Sequence, residues 1–388
     1  IWLQQRTDEE LLRRFDELLL DKEPSEGLAV MYLTKARYAF GAGRYEESGE
    51  WAEKMSEIAR AVGSDYILAE AEARRGTAVA YHDIAQGIAI LEEAAMLAER
   101  TGNSSALGLS LNNVAFEYML RGDLQRNLRY RTRALEQAQK VQSPTAQAWG
   151  NAMMAQAHHY LGDLEKAREH AEIAVRSVRV MERIWHTSYA LYVLAHVKVL
   201  AGEVDDAAAL IQEGQEIARS HSDLQGMGYG RSIGGELSLL RGEPEKVISM
   251  YESVPTADIV SFESWVAAEA YLAVGKADIA EQIAGEMIQP DSWFRSEGLR
   301  IRGMIAAGRA RYDEAENDFS SAMELARTQG YRVEEGRSLY EYGRMLATRG
   351  DRDAARKCFG QALRLFREIG AHAYADRTER AISELLAA

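Results

Sequence analysis

Apolar residues recur at three- and four-residue intervals along most of the chain, interrupted by short polar breaks, and this period predicts a succession of helices rather than strands. The breaks keep a register. Gly122-Asp123-Leu124, Gly162-Asp163-Leu164, Gly202-Glu203-Val204 and Gly242-Glu243-Pro244 stand 40 residues apart, each between two helical stretches. Equivalent turns are Gly43-Arg44-Tyr45, His82-Asp83-Ile84, Gly275-Lys276-Ala277, Ala310-Arg311-Tyr312 and Gly350-Asp351-Arg352, so nine helical hairpins are predicted. Glycine at such a turn supplies the left-handed backbone that ends one helix, and an aspartate after it caps the next.

Small residues occupy fixed places around these turns. Seven positions before them stand Ala36, Ala115, Ala155, Ala195, Gly235, Ala268, Gly303 and Gly343. The second unit alone departs, with Arg75 in that place and Gly76 one residue late. Five positions after the turns come Ser48, Gly87, Ala167, Ala207, Ala280, Ala315 and Ala355, and twelve after come Ala94, Ala134, Ala174, Gly214, Ala322 and Ala362. Three such columns predict close helix packing throughout. Pro255 and Pro290 fall where the sixth and seventh second helices should continue, so both helices should be cut short.

This pattern resembles the tetratricopeptide repeat (TPR) in a long form of about 40 residues rather than 34. Leu111-Asn112-Asn113-Val114-Ala115-Phe116-Glu117-Tyr118, running into Arg121-Gly122-Asp123, is similar to repeats of kinesin light chains and of bacterial peptide-sensing regulators. The stretch from Ala362 to Ala371 resembles the close of the repeat region in large ATPase-coupled bacterial regulators of the maltose-activator-like, LuxR type. The resemblance implies an all-α, right-handed superhelix, an α-α solenoid of about nine hairpins with capping helices. Thr7 with Glu10 reads as a capping box, so residues 1–24 should hold a leading helix, followed by the solenoid over 25–370. A final helix over 371–388 should turn Tyr374, Ile382 and Leu385 inward. The chain opens at Ile1 rather than Met, which suggests a fragment of a longer protein with an upstream domain.

Charge and composition narrow the function. Lys and Arg number 46 against 60 Asp and Glu, and a net charge of −14 disfavours direct nucleic-acid binding. The single cysteine, Cys358, precludes an intrachain disulfide. With no signal peptide and no apolar run of membrane-spanning length, a cytoplasmic location is expected and no membrane role. No metal, cofactor or catalytic constellation is expected. His158 and His159 are adjacent and diverge by about 100° on a helix, and Cys358 lacks a base partner, so it should be a buried inert thiol. Glycines 226, 228, 230, 234 and 235 lack the preceding strand and the Lys-Ser/Thr of a phosphate loop. Their helix cost of up to about 1 kcal/mol each predicts a loosened segment instead.

In the family resembled, the first helix of each hairpin lines the concave surface. Positions thirteen, ten, six and three before the turns then give a candidate groove of Asn112, Phe116, Trp149, Gln156, His159, Tyr189, Tyr192, His196, Tyr229, Glu236, Phe262, Trp265 and Glu269. Aromatic area with sparse polar groups suits a binding surface, and packing between adjacent hairpins is the competing reading for each ring. The resemblance also implies that Asn112 hydrogen-bonds the backbone of a bound peptide. Arg37, Arg300, Arg337 and Arg344 flank the groove as candidate anion contacts, with solvated helix surface the plainer alternative. The expected function is a non-catalytic module that takes a peptide, a partner segment or a small ligand, as the C-terminal sensor or interaction region of a larger bacterial signalling or transcription-regulatory protein. The alternative is a constitutive scaffold for a multiprotein complex.

Overall fold

The computed structural model describes residues 23–41, 43–181, 187–221, 223–253, 264–289 and 292–387. The expected leading helix with Thr7 and Glu10 lies outside the described residues, as do Pro255, Phe262 and Pro290. Nineteen helices and no strand occur among the described residues. They begin as two hairpins, α1 (Glu26–Gly41) with α2 (Tyr45–Val62) and α3 (Asp65–Ala80) with α4 (Ile84–Thr101). Next come α5 (Ser104–Leu120) with α6 (Leu124–Lys140), α7 (Pro144–Tyr160) with α8 (Leu164–Val180), and α9 (Thr187–Ala201) with α10 (Val204–Ser220). The sixth and seventh pairs are α11 (Leu224–Leu240) with α12 (Pro244–Glu252) and α13 (Ser264–Ala273) with α14 (Ala277–Met287). The last pairs are α15 (Arg295–Gly308) with α16 (Tyr312–Gln329) and α17 (Arg332–Arg349) with α18 (Arg352–Glu368). A final helix, α19 (His372–Ala387), follows. The nine hairpins thus break where the turn motifs predict. At 9 and 11 residues, α12 and α14 are the shortened second helices.

Glycine takes the left-handed region at most hairpin turns, as at Gly122 with φ 74° and Gly202 with φ 80°. Two turns manage without it. Ala310 adopts φ 57°, at a steric cost of about 1–2 kcal/mol. At His82, Asp83 accepts from the Gln86 backbone N–H at 2.9 Å and so caps α4. The small columns are contacts between helices: Ala36, Ala155, Ala195, Ala167, Ala207 and Ala355 are all fully buried. Ser48 Oγ donates to the Ala36 carbonyl at 2.9 Å, joining one column to the next. In the second hairpin the close approach has moved to Gly76, where a Cβ would stand 2.8 Å from Leu91 Cγ. Gly87 is pressed against the backbone of Ala80, 2.6 Å from where its own Cβ would lie.

The glycine-rich segment lies in α11. It is continuous helix through 224–240. A Cβ on Gly230 would meet Tyr192 Cζ at 2.5 Å, and one on Gly235 would meet Val266 Cγ1 at 2.6 Å. Neighbouring side chains therefore pack against these two glycines.

Two compact units are present. One comprises residues up to 118 with 129–142, the other 119–128 with 143–388. The first has a core of Ala69, Ala73, Ala94, Leu107 and Leu111. The second is built around Leu191, Tyr192, Val199, Ile211 and Ile233. Within this second unit the chain returns on itself. Helix α19 packs against α9 as well as α18, and the Tyr160 ring stands edge-on to Trp293 at 5.3 Å and to Tyr331 at 5.4 Å. Gly162, at the tip of the α7–α8 hairpin, faces Arg332 and Ile369.

Because backbone cannot retreat as a flexible side chain can, Gly87→Ala should lower stability by about 1–3 kcal/mol despite alanine's better helix propensity. Urea unfolding checks this, and an unchanged midpoint would contradict the close packing of α3 on α4.

Candidate binding site

Three equivalent rings on successive first helices form a ladder in the second unit. Trp149 on α7 packs on Tyr189 of α9 at 5.2 Å, and Tyr189 stacks on Tyr229 of α11 at 5.0 Å. Each stands thirteen positions before its turn, so the repeat itself generates the ladder. Tyr192 lies fully buried beside it, edge-on to Tyr229 at 6.1 Å. Gln156, also buried, hydrogen-bonds the hydroxyls of Tyr160 and Tyr229.

Deeper on the same face lies a network of charges. Glu236 of α11 accepts from His196 Nε2 of α9 at 2.8 Å, from Tyr374 Oη of α19 at 2.8 Å, and from Arg337 of α17. Arg337 is sandwiched, its guanidinium 4.4 Å from the Trp265 ring centre and 4.8 Å from that of Tyr374. Arg300 of α15 donates to Glu334 at 2.5 Å and to Glu269 of α13 at 2.6 Å. Glu334 also lies 3.8 Å from Arg337, so the two ion-pair groups are one network. His159 stacks on His196 with ring centres 4.0 Å apart. Glu236, Arg300 and Glu334 are at most 1% exposed.

Burial disfavours every charge here, and the partners decide which survive. For Glu236, Arg337 and His196 outweigh burial and hold the carboxyl well below the usual range. Burial also opposes the charge of Arg300 and of Arg337, but the glutamates, Glu334 foremost for Arg300 and Glu236 for Arg337, keep both guanidinium groups charged. His159 loses the contest: burial, with the neighbouring His196, pushes it far down, so it is neutral. Glu297 is raised to about 8 by burial and by the Glu334 carboxylate, and accepts from Ser296 Oγ at 2.8 Å.

The structure thus brings Trp149, Gln156, His159, Tyr189, Tyr192, His196, Tyr229, Glu236, Trp265 and Glu269 to one interior of the second unit, together with Arg300 and Arg337. The anions that these two arginines hold are glutamates of the chain itself. Arg344 instead lies exposed, 3.0 Å from Glu341. Phe262 lies outside the described residues. In the first unit Arg37 is half-exposed, 3.3 Å from Glu70. The Asn112 amide is engaged internally, donating to the Gly108 carbonyl at 2.8 Å and accepting from Arg131 at 3.0 Å. Phe116 is half-buried. Nearby, Glu117 is pushed up to about 7 by burial.

Glu297, Glu334, Trp293, Tyr331 and the hydroxyl role of Tyr374 escaped the sequence reading. Glu297 was within reach, since it stands thirteen positions before the Ala310 turn, as Trp149 does before its own. The others lie off the sampled positions. Among the described residues no cluster of His, Cys, Asp or Glu could hold a metal ion, and no helix is long and apolar enough to cross a membrane. Cys358 is buried, which pushes its thiol up and makes it less reactive.

Tetratricopeptide-repeat family models match residues 297–368, and also 148–172 and 188–213. The chain therefore contains tetratricopeptide repeats over those residues. Among solved structures it is similar in fold to the APC/C hetero-tetramer Cut9–Hcn1, with a TM-score of 0.57 at 14% identity over 97% of this chain and 76% of that one. The apo form of RapI aligns with a TM-score of 0.51 at 14% identity, covering 71% of this chain and 97% of its own. A signal transduction ATPase with numerous domains and a tetratricopeptide repeat sensor, from Pyrococcus horikoshii, aligns at 0.47 and 14% identity over 71% of this chain and 41% of that one. No curated protein matches the sequence significantly.

Removing one partner from a buried pair strands the other. Arg337→Met should therefore cost about 3–5 kcal/mol, and adding Glu236→Gln should recover much of it; chemical denaturation of the single and double variants measures both. Glu297 yields a pH signature. Its folded pKa, about 8, exceeds the unfolded value of about 4.3, so the folded state holds the proton more tightly. Its contribution is fully present below about pH 4.3 and is lost as pH rises toward 8. Glu297→Gln should flatten that decline in a series of thermal melts across pH.

Proposed function

We propose that the chain is a non-catalytic binding module, the sensor or interaction region of a larger signalling protein, and that the inner face of the second unit recognises its partner. The observation that carries this reading is the composition of that face. A stack of three rings adjoins paired charges contributed by residues as far apart as Glu236 and Arg337, separated by 101 positions. Buried ion pairs are poor stabilisers compared with apolar packing of the same volume, so a purely structural interior has little use for so many. A ligand has use for them. A carboxylate or guanidinium of an incoming peptide can exchange with Glu236 or Arg337, while its side chains meet the aromatic ladder. His159 Nε2 and Trp293 Nε1 have no hydrogen-bond partner among the described residues and offer further polar contacts.

Such an exchange would also release α17 and α19 from α11, which couples occupancy to shape. The resemblance of the Leu111–Tyr118 stretch and the closing segment to bacterial regulators supports a regulatory context within a cytoplasmic protein. In the scaffold reading, by contrast, the partner is held without any such release.

Native mass spectrometry of the chain isolated from its host, paired with scattering, tests the proposal. The wild type should carry a peptide or small ligand and change its radius of gyration when the ligand is removed. A triple variant, Trp149→Ala, Tyr189→Ala and Tyr229→Ala, should lose it. Retention of the same ligand by a folded triple variant would sink the assignment to the inner face. An unchanged radius would favour the scaffold.

A further inference from the structure

One buried acid in the first unit has no task in the packing. Glu117 stands five positions before the Gly122 turn. From the fourth unit to the ninth that place is taken by Ala157, Val197, Leu237, Ala270, Ile305 and Met345, every one of them buried and apolar. Glu117 is buried in the same way, at 5% exposure, yet it carries a carboxyl where those units carry hydrocarbon. Its Oε2 has no hydrogen-bond partner among the described residues. Polar groups on the adjoining helices are turned to other partners: Glu92 of α4 accepts from Tyr130 at 2.5 Å, and Arg131 of α6 donates to Asn112 at 3.0 Å. Burial, offset by no cation among the described residues, raises the Glu117 carboxyl to about 7.

Aromatic rings adjoin this acid. Tyr81, just beyond α3, is near enough for Glu117 to help raise its phenol, behind burial and Tyr45. Tyr45, at the start of α2, stacks on Tyr81 with ring centres 3.6 Å apart. Phe40 of α1 stands edge-on to Tyr45 at 5.2 Å and to Tyr81 at 6.0 Å. Tyr81 is 46% exposed, so the cluster reaches the surface. Ring faces and a carboxylate attract the same kind of ligand, a cation.

We propose that Glu117 and the cluster of Tyr81, Tyr45 and Phe40 bind a primary ammonium group, which donates to the Glu117 carboxylate and lies against the Tyr81 ring. Access is past the half-exposed Tyr81 side chain at the end of its helix. A primary ammonium suits the site because a carboxylate without a partner takes an N–H donor, which a quaternary ammonium lacks. The net charge of −14 draws such cations toward the chain. Packing does not account for the acid, since an apolar side chain of similar length would fill the column without burying a polar group. The site lies in the first unit and is independent of the inner face of the second.

NMR titration of the intact chain tests this with two probes, n-butylammonium and a short blocked peptide containing a single lysine. Both should bind and shift the Tyr81 resonances. Below about pH 7 the cation must displace the Glu117 proton, so affinity should rise about tenfold from pH 6 to pH 8 and then level off. A preference for the peptide makes a partner's lysine the source of the ammonium, and equal affinity makes it a free amine. Tetramethylammonium should bind several-fold more weakly than either. Glu117→Gln should weaken binding about tenfold or more and remove its pH dependence, and Tyr81→Ala should weaken it several-fold. Glu117→Leu should lose binding while raising the urea midpoint, as expected of a side chain kept for a ligand rather than for the fold. Absence of binding by both probes at pH 8, full affinity in Glu117→Gln, or a lowered urea midpoint for Glu117→Leu overturns the proposal.

Discussion

The Glu236 carboxylate is held by groups from three other helices: His196 on α9, Arg337 on α17 and Tyr374 on α19. It sits at 1% exposure, where an unpaired charge would cost several kcal/mol. Its ionisation therefore depends on the presence of helices separated from it by 101 and 138 residues. Those helices depend on it in turn, since Arg337 would otherwise be a buried cation between two aromatic rings. Electrostatics of this kind add little net stability but are intolerant of alternatives. One arrangement of α9, α11, α17 and α19 gives Glu236 all three of its partners, and a shifted one removes at least one of them.

The hairpin columns make that arrangement reachable. Alanine and glycine at the crossing points let each helix approach its neighbour closely, so the angle between neighbours is set by backbone contact rather than by long side chains. Small errors would otherwise accumulate over the six hairpins between α7 and α18. The ladder of Trp149, Tyr189 and Tyr229 records the same regularity, because one ring per repeat stacks only if the repeats are superimposable.

How much of this was legible in the sequence follows from the range of each interaction. Turns and small columns depend on residues within one hairpin, and the spacing of Gly122, Gly162, Gly202 and Gly242 shows them directly. The slip at Arg75 was visible too, and Gly76 makes the contact. The aromatic ladder could be read because its members share a place in the repeat. The packing around the glycine-rich helix could not be read in this way: the residues that meet Gly230 and Gly235 are Tyr192 and Val266, which lie in other helices. The pairing of Glu236 with Arg337 and Tyr374 was not legible at all. It rests on the sum of many small rotations between hairpins, and no local pattern encodes a sum.

An open array of repeats behaves as a ladder in which each rung knows only its neighbours, and shortening it from one end leaves the far end intact. The return of α19 onto α9 turns the second unit from a ladder into a loop. Removing the last helix then withdraws a hydroxyl from Glu236, 138 residues upstream in the chain. Unfolding of the second unit should therefore be a single concerted event rather than a fraying from the tail, and a partner that pries one seam apart would be felt around the whole circuit.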